Sequence, residues 1–363
     1  MKHDILILGA SYGSLLGTKL LMAGHRVSLV CTAPTAELIR SEGTRVRFPV
    51  RGQAAAVEVD SRNLPGVLTA HTPEEVDPAH YDLVVLGMQE GHYGLDGVRE
   101  LMRRIAQARV PCLAITNMPP LPFLRRIPGL ATGPLEPSYT DPEVWKDFDG
   151  DLMTLASPDP QAFRPPGEPR NVLQVGLPTN FKAARFSCDQ ATALLRRLET
   201  DIDAARFTLH GQQIEIPVKL KVHESVFVPL AKWPMLIAGN YRCIRPNDMI
   251  PIKEAVHGNV HASREIYDWV SSLCTGLGAD SADLVPFEKY AKAAESLARP
   301  SSAARALFGG AEQIERIDSL VRRIAHQRGL QSDPLHEIVA LVDDRLAQNR
   351  AARRAPPLQA GFN

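Results

Sequence analysis

A cluster of small residues lies between the first apolar run of the chain and the apolar segment behind it. The run at 5–8 meets Gly9, Ala10, Ser11, Tyr12 and Gly13, and apolar residues at helical spacing follow at 15–23. A strand that ends in a glycine turn delivers the chain into a helix whose free N–H groups and positive dipole end point outward. The pattern predicts strand, turn, helix and strand, with the pyrophosphate of a dinucleotide bound at the turn.

The turn departs from the Gly-x-Gly-x-x-Gly fingerprint at two positions. Ser11 stands at the second glycine, and Gly13, in the register of the helix, arrives one residue early for the third. Ser11 brings a side chain to a place where bare backbone normally approaches phosphate. Its hydroxyl could donate to a phosphate oxygen, or it could narrow the site. We expect the whole turn, Gly9 to Ser14, to contact a nicotinamide dinucleotide.

The amino-acid composition limits the classes of protein to which this chain can belong. The chain has 363 residues, 44% of them hydrophobic, and a formal net charge of zero without a basic block. We therefore expect two domains with apolar cores, and neither nucleic acid nor a membrane as partner. Five cysteines without a Cys-x-x-Cys pair argue against a zinc ribbon and for a reducing compartment. Met1 leads almost directly into a core strand, which predicts a cytoplasmic protein without a signal peptide.

Strand and helix patterns alternate through the first part of the chain. Segments at 81–87 and 111–116 read as buried strands, the second ending at Asn117, and 45–50 with 54–59 reads as a hairpin. This alternation predicts an α/β fold with a parallel, doubly wound sheet of Rossmann type. The periodicity is lost at 118–170, a proline-rich stretch that we interpret as an excursion over a domain cleft.

The remainder of the chain divides into the end of the first domain, a helical domain and a tail. Strand-like segments at 171–175 and 184–187 and a helix at 191–198 complete a dinucleotide-binding domain at 1–216. An all-α domain is predicted at 217–348 and a disordered tail at 349–363. The predicted helices of the second domain are 225–241, 261–275, 288–298, 312–328 and 334–348.

Several of these segments together resemble the ketopantoate reductases and their 2-dehydropantoate 2-reductase-like relatives. The similar pieces include the start of the first helix, the strand ending at Asn117, the helix around Lys232, Ser301 with Ser302 after a proline, and 312–315 before an Arg-rich helix. The resemblance covers most of the chain outside 118–170. It implies NADP or NAD as cofactor, a small carboxylate substrate, a homodimer and a second domain similar to the C-terminal domain of 6-phosphogluconate dehydrogenase.

The resemblance implies a general acid at Lys232. The family has asparagines four and eight residues beyond this lysine; here Leu236 replaces the first and Asn240 keeps the second. Hydride addition to a ketone builds negative charge on oxygen, and a positioned ammonium group stabilises and protonates that oxygen. The alternative is an ordinary surface lysine that extends to solvent.

The other implied catalytic residue is Asn117, which would contact both the nicotinamide and the lysine. The alternative is a turn asparagine. One serine of Ser301 and Ser302 would hold the substrate carboxylate, although a Ser-Ser pair after proline is also an ordinary helix cap. We expect Asn117 and this pair to face one another across a domain cleft.

The family's acidic residue, which hydrogen-bonds the substrate hydroxyl, falls on Gln313 by sequence register. Glu312 and Glu315 flank this glutamine, and a one-residue gap upstream leaves the register open. Gln313 is therefore the predicted substrate contact.

Two departures concern the cofactor. The family's basic residue for the adenosine 2′-phosphate is replaced near Cys31 and Thr32, where no acidic residue stands either. A lysine expected after the fourth strand is replaced around Met88 and Gln89. The choice between NADP and NAD stays open.

Three alternatives complete the interpretation. His257 and His261 have the spacing of metal ligands on one helical face, but a solvated face explains them better and no metal is predicted. The same fold could carry a rearrangement, as in the ketol-acid reductoisomerases, which need paired carboxylates for magnesium that we cannot place here. It could also be a non-catalytic, nucleotide-binding sensor.

Overall fold

The computed structural model describes residues 1–157 and 162–354. The chain forms two compact units. The first consists of Met1–Pro128 and Asp141–Leu230, and the second of Gly129–Thr140 and the chain from Ala231 onwards. The first unit carries the large sheet and the second is built mainly of helices. The predicted fold class, a Rossmann-type sheet domain followed by a helical domain, is confirmed.

The strands follow the apolar runs of the first unit. They are β1 Asp4–Leu8, β2 Arg26–Val30, β3 Arg45–Phe48, β4 Val57–Asp60, β5 Val67–His71, β6 Leu83–Leu86, β7 Cys112–Ala114, β8 Met153–Ser157, β9 Ala162–Phe163, β10 Val172–Val175, β11 Thr179–Ala184, β12 Phe207–Leu209, β13 Gln212–Ile214 and β14 Val218–His223.

Eight of these strands form the main sheet, in the order β14, β11, β8, β7, β6, β1, β2, β5. The sheet is parallel except where β11 pairs antiparallel with β8, so the prediction of a purely parallel sheet is wrong at that edge. β1 and β6 are neighbours, and nearly all of their side chains are buried, as in strands covered on both faces. The strand order reverses between them, and folds of this kind bind ligands at such a point.

A second sheet of the first unit has four strands in the order β4, β3, β10, β9. β3 and β4 form an antiparallel pair in which Phe48 faces Val57, which confirms the predicted hairpin. Gly52 in the turn has a φ of +84°. A further hairpin joins β12 to β13 through His210 and Gly211, both with positive φ, as tight hairpin turns require.

The helices begin and end as follows. They are α1 Tyr12–Met22, α2 Ala33–Glu42, α3 Val98–Ala108, α4 Leu121–Leu124, α5 Asp189–Ala204, α6 Trp233–Met235, α7 Ile252–His257, α8 Val260–Gly276, α9 Phe287–Ala294, α10 Ser302–Phe308, α11 Ile317–Gln327 and α12 Asp333–Arg354. Among the described helices, none combines the length and the apolar character that a membrane span requires.

The segment predicted as an excursion, 118–170, is largely integrated into the two units. β8 lies within it and pairs with β7 in the main sheet, with every residue buried. Gly129–Thr140 joins the second unit, where Ser138 donates to the hydroxyl of Ser319 at 3.1 Å. A five-residue strand among prolines and aspartates has too little apolar pattern to stand out, which is why the sequence prediction missed it.

The first unit extends beyond the predicted boundary at 216. β14 alternates apolar and polar residues, typical of a half-buried edge strand, and pairs with β11 from Val218 opposite Thr179 to His223 opposite Ala184. The strand predicted at 184–187 lies earlier in the chain, because β11 begins at Thr179 and ends at Ala184.

Three predicted helices differ in the second unit. The helix expected at 225–241 begins at Pro229 and runs to Cys243 as consecutive 3₁₀, α, π and 3₁₀ turns, and Pro234 within it lacks the N–H that a regular helix would use. The helix expected to begin at 312 begins at Ile317. The tail predicted from 349 is helical to Arg354, and the amide of Asn349 donates to the carbonyls of Leu307 and Ala311 at 2.8 Å each. Residues 355–363 lie outside the described residues.

Candidate active site

The glycine turn after β1 touches the turn after β6. Gly9 has a φ of +101°, which side chains rarely adopt, and its N–H donates to the carbonyl of Val30 at 2.9 Å. A Cβ atom on Gly9 would lie 2.9 Å from the carbonyl oxygen of Gly87 and 2.8 Å from Cγ of Met88. Only glycine therefore fits at the point where the two turns meet, at the carboxyl ends of the two central strands.

Gly13 serves a different purpose from Gly9. A Cβ atom there would lie 2.6 Å from Cγ2 of Ile7, so the absence of a side chain lets α1 pack directly on β1. This is the role of the third glycine in the dinucleotide fingerprint. The early arrival of Gly13 in the sequence thus preserves its packing function.

Ser11 and Ser14 differ in how their hydroxyl groups are used. Ser14 is buried, its hydroxyl donates to the carbonyl of Ala10 at 2.7 Å, and its N–H donates to Ser11 at 3.0 Å. Both donors of Ser14 are engaged within the turn, so this residue shapes the turn. Ser11 is half-buried, its side chain makes no cap bond, and no acidic residue stands in the first turn of α1. The start of α1 therefore has the electrostatic character of an anion site.

The turn after β6 is held by an aromatic pair. The hydroxyl of Tyr93 bonds both the N–H and the carbonyl of Met88 at 3.1 Å, and its ring lies edge-on to Trp145 at 5.3 Å. Gly87 donates to the carbonyl of Leu8 at 2.9 Å, which ties this turn to β1. Gln89 follows on the exposed side. Met88 is thus held beside the glycine turn, with Gln89 next to it in the chain; that the two contact a cofactor stays a prediction.

The turns after β2 and β7 complete this edge of the main sheet. Thr32 precedes α2, and its hydroxyl donates to that of Thr35 at 3.1 Å. Asn117 is half-buried three residues beyond β7, in a turn where the hydroxyl of Thr116 donates to the carbonyl of Met118 at 2.6 Å. Thr32, Met88, Gln89 and Asn117 therefore all follow carboxyl ends of parallel strands, where ligands of such sheets bind.

Lys232 lies at the start of the long segment of the second unit, which begins at Ala231. It is half-buried between Ala231 and Trp233, both buried. A π-helical turn follows at Leu236–Asn240, a geometry that recurs at functional sites. The lysine therefore stands at the start of an irregular, closely packed segment rather than on a regular helix.

The π-helical turn is held by side chains from distant parts of the sequence. Tyr290 donates to the carbonyl of Met235 at 3.0 Å, and a Cβ atom on Gly239 would lie only 1.9 Å from the Tyr290 hydroxyl oxygen. Burial raises the pKa of Tyr290, so the hydroxyl stays protonated and able to donate. The sequence prediction missed this pair, because the two residues are distant in the chain.

The structure brings Asn240 and Ser301 together. The Ser301 hydroxyl donates to the carbonyl of Asn240 at 2.6 Å and accepts from the N–H of Ala304 at 3.1 Å, which makes it the cap of α10. Ser301 is buried, whereas Ser302 is exposed. The capping interpretation of Ser301 is thus correct, and its hydroxyl proton is already donated.

Gln313 is exposed, and its acidic neighbours differ in their surroundings. Glu312 forms an ion pair with Arg353. The backbone of Glu315 contacts Tyr241, the residue after Asn240, since the Tyr241 hydroxyl donates to the Glu315 carbonyl and accepts from Ile317 N–H at 3.0 Å. The backbone of Glu315 is therefore tied to the segment that contains Asn240, although Gln313 was the residue predicted by sequence register.

The histidine pair does not share a helix. His257 ends α7 and its Nε2 lies 3.0 Å from the carbonyl of Ala291, while His261 belongs to α8, whose cap is Asn259. The expected single helical face is therefore interrupted at Gly258. Across 1–157 and 162–354, no three His, Cys, Asp or Glu side chains are grouped as metal ligands.

Comparison with known proteins identifies the fold. No protein-family model and no curated protein matches the chain. Among solved structures, 2-dehydropantoate 2-reductase from Methylococcus capsulatus is 14% identical with a TM-score of 0.66, and the match covers 99% of this chain and 100% of that one. A ketopantoate reductase from Ralstonia eutropha is 15% identical with a TM-score of 0.63, covering 96% and 99%. The chain has the ketopantoate reductase fold.

A solved dehydrogenase is also similar to this chain in structure. D-mandelate dehydrogenase, solved with NADH and anilino(oxo)acetate, is 13% identical to this chain with a TM-score of 0.64, covering 96% of this chain and 99% of that one. The predicted resemblance is confirmed at the level of the fold. At such low identity, activity and substrate need arguments from this chain's own residues.

The sequence prediction missed two charged residues of this chain that lie near the ends of its strands. Glu90 is buried directly after Met88 and Gln89, although acidic residues are seldom buried. Arg164 follows β9; burial raises the pKa of the Cys31 thiol at the end of β2, and the positive charge of Arg164 lowers it by a smaller amount. An acidic residue just after a buried strand was a signal for Glu90, whereas nothing in the local sequence pointed to Arg164.

Proposed function

We propose that the chain is an NAD(P)-dependent oxidoreductase that reduces a small 2-oxo acid or oxidises the corresponding 2-hydroxy acid. The observation that carries the proposal is the Gly9 turn: its positive φ and its lack of room for a Cβ atom keep bare backbone at the carboxyl ends of β1 and β6. Close approach of backbone to a pyrophosphate requires this arrangement.

In this proposal the dinucleotide binds to the first unit. Gly9, Ala10, Ser11, Tyr12 and Gly13 hold the pyrophosphate at the uncapped start of α1, and Ser14 maintains the shape of the turn. Further contacts come from the turns after the neighbouring strands, at Thr32, Met88, Gln89 and Asn117. The nicotinamide, when bound, supplies or accepts a hydride.

Lys232 of the second unit is the proposed general acid. As the substrate carbonyl becomes an alkoxide, the ammonium group at Nζ stabilises the oxygen and gives it a proton; in the reverse direction the neutral amine accepts that proton. A half-buried position between Ala231 and Trp233 suits this task, because removal of water strengthens the interaction between the ammonium group and the developing charge.

The proposed substrate contacts follow from the positions of the polar residues around the Asn240 segment. The Ser301 hydroxyl donates within the protein, so we assign the substrate carboxylate to exposed Ser302, with Ser301 as the residue that positions the Asn240 segment. The half-buried Asn240 side chain is the proposed polar contact beside it. For the substrate hydroxyl we propose Glu315 in preference to Gln313, since Glu315 adjoins Tyr241.

The test is a pair of measurements on the purified chain. Titration with NADPH and NADH, followed by nicotinamide fluorescence, is expected to give saturable binding, and a panel of 2-oxo acids is expected to contain a substrate that oxidises the bound dinucleotide. Saturable binding without turnover on any acid would favour the sensor. A product with a rearranged carbon skeleton would favour the reductoisomerase-like alternative, and the absence of binding would refute all three.

The proposal includes a homodimer. A solved structure with this fold, the ketopantoate reductase from Staphylococcus aureus, is described as dimeric. Light scattering on the full chain would give twice the monomer mass of 39.8 kDa if the proposal is correct. A mass equal to one chain at working concentration would contradict it.

A further inference from the structure

The second unit contains a cavity that the proposed reaction does not use. Its volume is about 310 Å³, at the lower end of the range of ligand pockets and sufficient for a small metabolite. It lies between the 3₁₀ turn at Gly133–Ser138, helix α11 and the start of α12. The lining residues are Pro134, Arg322, Arg323, His326, Gln327, Leu330, Gln331 and His336.

Hydrogen bonds between α11 and the segment Gly129–Thr140 hold one wall of the cavity in place. The side-chain amide of Gln327 accepts from the N–H of Ala131 at 3.2 Å and donates to the carbonyl of Ala131 at 2.9 Å. Nη1 of Arg323 donates to the carbonyl of Pro134 at 3.4 Å. These bonds fix the position of Pro134 relative to α11, so the cavity is formed before a ligand arrives.

The lining of the cavity is basic. Two of its residues are arginines, and none is acidic. In the part of the chain that the structure describes, neither Arg322 nor Arg323 forms an ion pair. The carboxylate of Asp343 is the acid whose charge acts on Arg323, but it is bound by Nη1 of Arg316 at 2.7 Å. An anion in the cavity would therefore meet two arginines whose charges no direct partner neutralises.

The guanidinium group of Arg323 retains donors for a ligand. Its Nη1 is used by Pro134, whereas its Nη2 has no hydrogen bond to any described residue. Burial, and then the positive charges of Arg322 and Arg316, lower the pKa of Arg323, and the charge of Asp343 only partly offsets this. An oxyanion beside the two arginines would accept hydrogen bonds and relieve their repulsion.

The dipole of α11 explains only part of this arrangement. Cations are stabilised in the last turn of a helix, which accounts for His326. The dipole does not account for His336, which lies in the first turn of α12, or for the exposed Leu330 that lines the same cavity as Pro134. A ligand with an anionic group and an apolar group would contact both kinds of lining residue.

We propose that this cavity binds a small phosphate monoester, with the phosphate between Arg322 and Arg323 and the organic group against Pro134 and Leu330. Paired N–H donors of arginine match the oxygens of a phosphate, and a dianion gains more than a carboxylate from two guanidinium groups. All of the lining residues belong to the second unit. The inference is independent of the proposed oxidoreductase function.

The test uses the full chain with two probes, inorganic phosphate and phenyl phosphate, in isothermal titration calorimetry at constant ionic strength. Both should bind wild type saturably, and phenyl phosphate should bind at least about threefold more tightly, because its ring can cover the apolar residues Pro134 and Leu330. Leu330→Asn should abolish this difference and leave the affinity for inorganic phosphate unchanged.

Loss of either arginine should weaken the binding of phenyl phosphate. Arg322→Gln and Arg323→Gln are each expected to raise its Kd by about 10- to 100-fold, the usual loss of a hydrogen bond between charged groups. Arg322→Gln keeps the test decisive if Arg323→Gln fails to fold after losing its bond to Pro134. The matched control is Arg197→Gln, which removes an exposed arginine of α5 in the first unit and should change Kd by less than about threefold.

Three results would overturn the inference. Wild type could fail to bind phenyl phosphate more tightly than inorganic phosphate, both cavity variants could keep the wild-type affinity, or Arg197→Gln could lose as much affinity as they do. NADPH is titrated into the same proteins as a further control, and its Kd should be equal in wild type and in both cavity variants. Joint loss of NADPH and phosphate binding would also contradict a separate site. A wild type that binds phenyl phosphate but no dinucleotide would refute the proposed function and leave this inference standing.

Discussion

At the scale of single residues, the environment of Lys232 distinguishes it from an ordinary surface lysine. Its two neighbours in the chain are buried, and the segment behind it is irregular and closely packed. A lysine that merely extends to solvent requires neither buried neighbours nor an irregular segment behind it. The side chain is thus confined at its base, which is what proton transfer to a fixed substrate oxygen requires.

Replacement of Lys232 by alanine should lower kcat by a factor on the order of 100 to 10,000, the usual contribution of a positioned proton donor, with little change in dinucleotide affinity. Lys232→Arg should rescue poorly, because guanidinium holds its proton too strongly to donate it. Steady-state kinetics on the substrate found in the 2-oxo acid panel provide the measurement. The exposed Lys253→Ala is the control. Full activity of Lys232→Ala would move the chemistry elsewhere.

The two glycines with positive φ at positions 9 and 52 allow a matched comparison. Both would be strained by a side chain, at a cost of about 1–2 kcal/mol, but a Cβ atom on Gly52 meets nothing within 4 Å, whereas one on Gly9 meets the Gly87 backbone. Gly9→Ala should therefore weaken dinucleotide binding by at least about tenfold, while Gly52→Ala should leave it unchanged. Titration of both variants measures this. Equal affinities for the two would mean that the Gly9 turn does not contact the dinucleotide.

At the scale of elements, local pattern predicted the parts of the fold whose causes are local. Strand β1, the turn and helix α1 follow from an apolar run, glycines and helical spacing within thirty residues. β8 could not be predicted, because five residues among prolines carry little pattern and their pairing with β7 depends on the rest of the sheet. The bond from Ser301 to Asn240 likewise joins residues far apart in sequence.

The π-helical turn after Lys232 supplies a test at this scale. Gly239→Ala should cost about 1–3 kcal/mol, because its Cβ atom collides with the Tyr290 hydroxyl, and Tyr290→Phe should cost about 1–3 kcal/mol through the lost bond to Met235. In the double variant the nearest ring atom would be 3.2 Å away, so the loss should be smaller than the sum. Urea unfolding of the four proteins measures the coupling. Strict additivity would show that the contact does not determine the turn.

At the scale of the whole molecule, the fold class followed from the sequence but the division of the chain did not. The predicted boundary at 216 ignored β14, whose alternating pattern was legible, and the assignment of Gly129–Thr140 to the second unit has no local signal. Of the site, the turns at the sheet edge were predictable because strand ends can be located from sequence. That Asn117 and the Ser301–Ser302 turn share one cleft stays a prediction.

A buried lysine links the stability of the molecule to pH. Lys19 in α1 is 1% exposed and Nζ donates to the carbonyl of Ala205 at 3.5 Å. Burial lowers its pKa from 10.5 to about 8. Between these values the unfolded chain holds a proton that the folded chain has released, so the free energy of unfolding should rise with pH across this window. Below pH 8 the charged lysine opposes folding in full.

Lys19→Met should remove this rise and stabilise the chain at pH 7 by about 1–3 kcal/mol, because a buried charge is replaced by an apolar side chain of similar length. Urea midpoints of wild type and variant from pH 7 to pH 10.5 are the measurement. The exposed Lys146→Met should behave like wild type. A wild-type stability that falls across the window would show that Lys19 is not desolvated in the folded chain.

Hydride transfer from the dinucleotide to the carbonyl carbon of a 2-oxo acid can be followed with an isotope label. The chain is incubated with a 2-oxo acid and reduced dinucleotide that carries deuterium at the transferring carbon, and the product is analysed by mass spectrometry. We expect a 2-hydroxy acid of unchanged carbon skeleton with one deuterium at C2, and a much lower yield from Lys232→Ala. A dinucleotide that binds but delivers no deuterium to any acid would contradict this expectation.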